Sequence, residues 1–143
     1  MTEIPGELRQ ALDADESCDL DEIIRQRRPA DFEALRGLLR PDPSGGTLYR
    51  ARAIYALGRW GDPAAVKAIR DLLPGLDHDE RITAVDALGR LGTDEAVDAI
   101  LEYANDDSLP MRKFVSRALA RIGTARARTA LSRLQRDDSS PSS

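Results

Sequence analysis

The sequence predicts an all-α protein built as a solenoid of stacked helix pairs. Three observations carry that expectation. A thirteen-residue block recurs at a spacing of 31 residues, its apolar side chains follow helical spacing, and aromatic residues are scarce. Aromatics make up only 4% of the 143 residues and charged residues 32%. The apolar content therefore rests on Ala, Leu, Ile and Val, which suits closely packed helices better than the aromatic-rich cores of sandwiches and barrels.

The block runs from Arg50 to Asp62, returns from Arg81 to Thr93, and returns again from Arg112 to Thr124. Leu57, Leu88 and Leu119 hold one place in it, and Gly61, Gly92 and Gly123 another. Ile54, Leu57 and Trp60, like Val85, Leu88 and Leu91, are spaced to line one face of a helix. The glycine that follows suits a left-handed residue closing that helix. Asp62, Thr93 and Thr124 come next, where a side-chain oxygen can cap the orphan N–H groups of a second helix. Pro63 fits the first position of that helix, where a missing N–H is harmless. The second helices carry Ala65, Val66, Ile69, Leu72 and Leu73, then Ala96, Val97 and Ile100, then Ala127, Ala130, Leu131 and Leu134. No single pair buries both of its apolar faces, so neighbouring pairs must stack.

Ahead of the regular array lies a degenerate unit. Asp31-Phe32-Glu33-Ala34-Leu35 aligns one step of 31 before Asp62-Pro63-Ala64-Ala65-Val66. Leu20, Ile23 and Ile24 supply its first helix, and Leu8, Ala11 and Leu12 an additional leading one. The expected organisation is a helical cap over residues 1–40, a Pro/Gly-rich loop at 41–47, and three repeats at 48–78, 79–109 and 110–136. A polar, Ser-rich disordered tail is expected at 137–143. In the third repeat Ser116 replaces Ile54 and Val85, and Arg128 replaces Val66 and Val97. Those exchanges are expected of a capping unit with one side in water, which would make the array complete.

The run Arg-x-x-Ala-x-x-Ala-Leu-Gly-Arg-x-Gly-Asp/Thr, followed by Ala-Val-x-Ala-Ile, resembles the HEAT-like repeat of the phycobilisome-lyase type. The resemblance covers Leu48 to Arg136, with a weaker match from Leu20 to Arg40. It implies a right-handed α-solenoid of HEAT-like helix pairs, here three clear repeats plus the degenerate N-terminal cap, and a protein-binding scaffold as the usual role. Two departures stand out: Glu80, where an aliphatic residue is usual, and Ala120 in place of the glycine. Relatives with chemistry can be tested residue by residue. Deoxyhypusine hydroxylase resembles this fold but binds iron through several His-Glu pairs, and this chain has one histidine, His78. Phycobilin lyases tend to be longer and to work as paired subunits. HEAT-like DNA glycosylases use a basic groove with aromatics and an acid, and only the third repeat is basic here.

Enzyme chemistry is not expected. No Ser-His-Asp, paired-Cys or phosphate-loop pattern occurs, and no cofactor or metal is anticipated. His78 lies among Asp77, Asp79 and Glu80, but at the start of a helix such acids are ordinary complements to the helix dipole. The single cysteine, Cys18, forms no internal disulfide and sits among acids that disfavour a thiolate. No stretch approaches the roughly 18 apolar residues needed to cross a bilayer. With no secretory signal either, a reducing cytoplasm is the expected address and a membrane partner is not expected. Trp60 is expected in the core, since Leu91 and Ile122 hold its equivalent places. The exposure of Tyr103 is left open.

Net charge is −4, yet it is strongly segregated. Residues 1–22 hold eight acids and one base, residues 71–107 eleven acids and two bases, and residues 111–136 eight bases and no acid. Such asymmetry guides a partner's approach. Lys113, Arg117 and Arg121 recur every four residues as one basic stripe. It would suit an acidic protein or a phosphate backbone, or serve as a solvated outer face, or pair with the acidic centre of another copy. In proteins resembling this family the second helices line the concave side. The positions off their apolar stripe are Lys67, Arg70 and Asp71, then Asp98, Leu101 and Glu102, then Thr129, Ser132 and Arg133. The resulting expectation is a non-catalytic interaction module that binds one protein partner through the concave face and the basic C-terminal repeat. The alternatives are a neutralising partner of a toxin or enzyme, a nucleic-acid binder through the basic repeat, and a non-catalytic subunit of a lyase-type complex. Partner identity, pathway and oligomeric state are not encoded in any motif.

Overall fold

Apolar residues spaced by three and four make helices of nearly all the chain that the computed structural model describes, residues 4–14, 18–39 and 49–139 (side chains of Cys18 and 137–139 apart). The cap comprises α1 (Gly6–Asp13), α2 (Cys18–Gln26) and α3 (Pro29–Gly37). The array follows as three pairs: α4 (Arg50–Trp60) with α5 (Val66–Leu72), α6 (His78–Leu91) with α7 (Asp94–Leu101), and α8 (Leu109–Ile122) with α9 (Ala125–Ser139). The described residues contain no strand.

The stop and start signals act as the repeat predicts. Gly61, Gly92 and Gly123 have φ of 80°, 73° and 67°, the left-handed region that glycine enters without a Cβ penalty. The next residue then caps the second helix. Asp62 accepts from the Ala64 N–H, Thr93 from Ala96 and Thr124 from Ala127. Around Pro63 the second helix opens as a 3-10 turn before α5, and a further 3-10 turn at Leu73–Gly75 closes it. Asp77 caps α6 in a reciprocal capping box with Glu80. His78 is the first residue of that helix and exposed, its Nε2 3.2 Å from the Ser108 hydroxyl, so the acids around it are helix-start residues.

The helices form two layers. In one, α4, α6 and α8 pack in succession; in the other lie α5, α7 and α9. Ile54, Leu57, Val85, Leu88, Val115 and Leu119 of the first layer and Val66, Ile69, Val97 and Ile100 of the second form one continuous core. Full burial of each such side chain contributes about 1.5–3 kcal/mol.

Two expectations need correction. The degenerate unit does not keep the register of the array. Its second helix begins at Pro29, which fixes φ at the first helical position, and Asp31 therefore lies inside α3, only 1% exposed, with Oδ2 accepting from Arg28 Nε at 2.8 Å. The tail does not begin at 137, because α9 continues through Ser139. No breaker intervenes before Pro141, whose ring disfavours helical geometry in the residue ahead of it. The anticipated 41–47 loop and residues 140–143 lie outside the described residues.

Candidate functional site

The positions singled out on the second helices are brought together. Between α5 and α7 lies a hollow of about 470 Å³ lined by Arg70, Asp71, Leu73, Pro74, Asp98, Ala99 and Glu102. Between α7 and α9 lies another of about 400 Å³, lined by Asp98, Leu101, Ala125, Arg126, Thr129, Ala130 and Arg133. Asp98 belongs to both, so the two hollows run into one groove across the second-helix layer. Lys67 is exposed on α5 outside either hollow.

Why the groove exists follows from side-chain size. The first helices meet at Gly58 and Gly89, where a Cβ would fall 2.7 Å from the Ala87 Cα and 2.7 Å from the Ala118 Cβ respectively, so those backbones nearly touch. Between the second helices, side-chain pairs bridge neighbouring repeats. Arg70 of α5 pairs with Glu95 of α7, and Arg126 of α9 pairs with Asp98 of α7 at 2.6 Å. Thr124, besides capping α9, donates to Asp94 Oδ1 at 2.7 Å. Being exposed, each ion pair adds about 0–1 kcal/mol to stability, and the three helices are held mainly by the buried Val66, Ile69, Val97, Ile100 and Ala127.

Those pairs also change the charge pattern read from sequence. Arg70 and Asp98 are engaged with neighbouring repeats, whereas Glu102, Arg133 and Lys67 have no ion-pair partner among the described residues. Glu102 and Arg133 stand on either side of half-buried Leu101. The groove thus offers a free acid, an apolar patch of Leu101, Ala125 and Ala130, and a free base.

Lys113, Arg117 and Arg121 are not part of this groove. They project from α8 in the other layer, all exposed, with the Arg117 guanidinium 5.2 Å from the Phe114 ring centroid. The candidate residues therefore divide into two surfaces. Tyr103 is half-buried beneath the Arg81 guanidinium, 5.1 Å from its ring, and desolvation raises its pKa above the ordinary tyrosine value. Trp60 is 5% exposed and stacks against Phe32 at 5.5 Å, so it joins cap to array and offers no binding anchor.

Several important contacts were not read from the sequence. Arg27 adopts φ of 49°, unusual for a residue with a side chain, and its Nη1 donates to the Trp60 carbonyl at 2.9 Å, capping α4 from the neighbouring unit. Arg81 donates to the carbonyls of Leu73 and Leu76 at 3.1 and 2.9 Å, and Arg112 to that of Asp106 at 2.7 Å. The third member of that row, Arg50, makes a two-pronged pair with Glu80 at 2.8 and 2.9 Å. The recurrence of an arginine at one repeat position was the available signal for all three.

No group of three or more His, Cys, Asp or Glu side chains among the described residues is arranged to hold a metal ion. No described helix is long and apolar enough to cross a membrane. In comparisons with known proteins, no curated protein matches the sequence. The family described as PBS lyase HEAT-like repeat matches residues 49–73. The family described as HEAT repeats matches residues 71–142, just over half of the chain. The 31-residue helix pairs, the glycine-closed first helices and this match place the chain in the HEAT repeat family.

Proposed function

We propose that this chain is a non-catalytic interaction module that holds one protein partner in the groove formed by α5, α7 and α9. HEAT repeats generally mediate protein–protein interaction and are generally non-catalytic. The observation that carries the assignment to this groove is the run of two hollows joined at Asp98, with Leu101 between a free Glu102 and a free Arg133. An apolar anchor flanked by opposite charges selects a segment by both fit and orientation, because a reversed segment would place like charges together. Helices already packed on a continuous buried core lose little freedom on binding, so more of the contact energy appears as affinity. A cytoplasmic address fits a chain with a lone cysteine.

The test is a nuclease-treated pull-down from native lysate with three baits, read by mass spectrometry. The wild-type chain and an Arg117→Glu/Arg121→Glu variant should retain the same stoichiometric protein, and a Leu101→Asp/Arg133→Glu variant should lose it. Retention by the groove variant, or capture of nucleic acid alone when nuclease is omitted, would refute the assignment.

A further inference from the structure

The last repeat leaves uncovered a face that the first two keep buried. Within the array, Gly58 and Gly89 lie against Ala87 and Ala118 of the next first helix, and Ile54, Val85, Val66, Val97, Ile69 and Ile100 are at most 1% exposed. In the third repeat the same positions hold Ala120, Ser116, Arg128 and Leu131, and no described helix follows α9. Ala120 and Arg128 are exposed there, and Ser116 and Leu131 are half-buried. Lys113, Arg117 and Arg121 border this face on α8, all exposed and, like Arg128, without an ion-pair partner among the described residues. Arg50, Arg70 and Arg90 of the earlier repeats each meet a carboxylate instead.

Two features of the face define its occupant. The first is charge. Lys113, Arg117 and Arg121 stand one turn apart along α8, so they repel one another until an anion intervenes. Residues 111–136 contain no acid, and of the preceding repeat's acids Asp86 is taken by Arg90, Asp98 by Arg126 and Asp94 by the Thr124 hydroxyl. The second feature is the floor between the bases. Ser116 and Ala120 are small and Leu131 is apolar, at the positions where the first two repeats seat a helix. A helix laid there covers Leu131, whereas a phosphate backbone would leave it in water. Ala120 carries the methyl group that Gly58 and Gly89 lack, so an incoming helix sits farther out than α6 does on α4. The long basic side chains span that difference, and a guanidinium pairs with a carboxylate through two parallel hydrogen bonds. We propose that this face docks an acidic helix of a partner protein, its small-residue seam over Ser116, Ala120 and Leu131 and its flanking carboxylates on Lys113, Arg117 and Arg128. Neither Arg128 nor any of the α8 bases lines the α5–α7–α9 groove, so the two surfaces are separate, and a chain engaged at both would join two partners.

Fluorescence anisotropy of the full chain with a labelled helical probe tests it. The probe is an alanine-rich peptide of about 20 residues, long enough to hold a helix, with glutamates on both flanks of an alanine stripe. At about 50 mM salt it should bind about tenfold or more tightly than a shuffled peptide of the same composition, and about 500 mM salt should weaken it by about tenfold. Lys113→Glu/Arg117→Glu and Arg128→Glu should each weaken binding by about tenfold, while the groove variant Leu101→Asp/Arg133→Glu should bind as the wild type does. A probe with lysines in place of the glutamates should recover binding to Lys113→Glu/Arg117→Glu, and helical circular dichroism of each variant separates loss of contact from loss of fold. Equal binding of the shuffled peptide, binding that survives reversal of the basic residues, or loss of binding in the groove variant would overturn the proposal. So would a DNA duplex of about 20 base pairs that binds the same residues more tightly than the peptide, since the face would then hold a phosphate backbone.

Discussion

Gly89→Ala exposes the difference between helix propensity and helix packing. In an isolated helix the change stabilises by about 1 kcal/mol, because alanine loses less backbone freedom than glycine. In α6 the new Cβ would fall 2.7 Å from the Ala118 Cβ and 2.8 Å from its Cα. Neither atom can rotate away, since one is backbone and the other is fixed to it, so α6 and α8 must separate by several tenths of an ångström. Overpacking of this kind costs about 1–3 kcal/mol, and the separation also loosens Val85 and Leu88 against Val115 and Leu119. The net expectation is a destabilisation of about 1–2 kcal/mol, measured by urea unfolding followed at the helical circular-dichroism band. Ala120 provides the control. It occupies the same repeat position but is exposed, so Ala120→Gly should cost about 1 kcal/mol through propensity alone. At equivalent positions, adding a methyl in one unit and removing it in another should therefore both destabilise. A Gly89→Ala variant more stable than wild type would refute the close-packing argument.

Other contacts give separable expectations. Glu80→Ala removes the capping-box side chain of α6 and both prongs of the Arg50 pair, and should destabilise by about 2 kcal/mol in urea unfolding. A double-mutant cycle with Arg50→Ala should return a coupling of about 1 kcal/mol or more. The hydrogen bond from the Glu80 N–H holds the Asp77 carboxyl below the ordinary aspartate value of 3.8, so its capping contribution is complete above that pH and is lost as pH falls through the lower folded value. Melting temperatures taken from pH 6 to pH 2 should fall more gently at the acid end for Asp77→Asn than for wild type, because asparagine caps without titrating. At Arg27, replacement by alanine should cost about 1–2 kcal/mol by freeing the Trp60 carbonyl and removing the stacked guanidinium, and should shift the fluorescence of this single tryptophan. Glycine there should be less damaging than alanine, because it adopts the positive φ freely.

The array was legible because its signals are local and repeated. Gly61, Gly92 and Gly123 mark the turns by their spacing, and the capping residues follow them directly, so no long-range information was needed. Leu101, Glu102 and Arg133 were legible for a related reason: a helical apolar stripe leaves its other face by subtraction. What was not legible depended on contacts between units. Asp31 was aligned by residue type with Asp62, but Pro29 governs where α3 begins, and one proline outweighs a loose match in a degenerate repeat. Arg27 gave no signal at all, because it closes α2 in the left-handed conformation that sequence marks with glycine, and the carbonyl its side chain reaches is thirty-three residues away. The ion pairs of Arg70 and Arg126 were likewise hidden, since a sequence displays charge but not which neighbouring repeat meets it.

The two helix layers differ in how freely their surfaces can change, and this bears on where recognition resides. In the first-helix layer, Gly58 and Gly89 leave no space for even a methyl group, so substitution toward the neighbouring helix strains the stack. In the second-helix layer, hollows of about 470 and 400 Å³ separate helices bridged by side-chain pairs. There Asp71, Glu102 and Arg133 can be exchanged without moving a backbone, because none of them belongs to the apolar core. A surface that must be reshaped for a partner has to lie where its residues are not also responsible for the fold. The α5–α7–α9 groove meets that condition, and the Gly-Ala seam behind it keeps the array rigid while the groove residues vary.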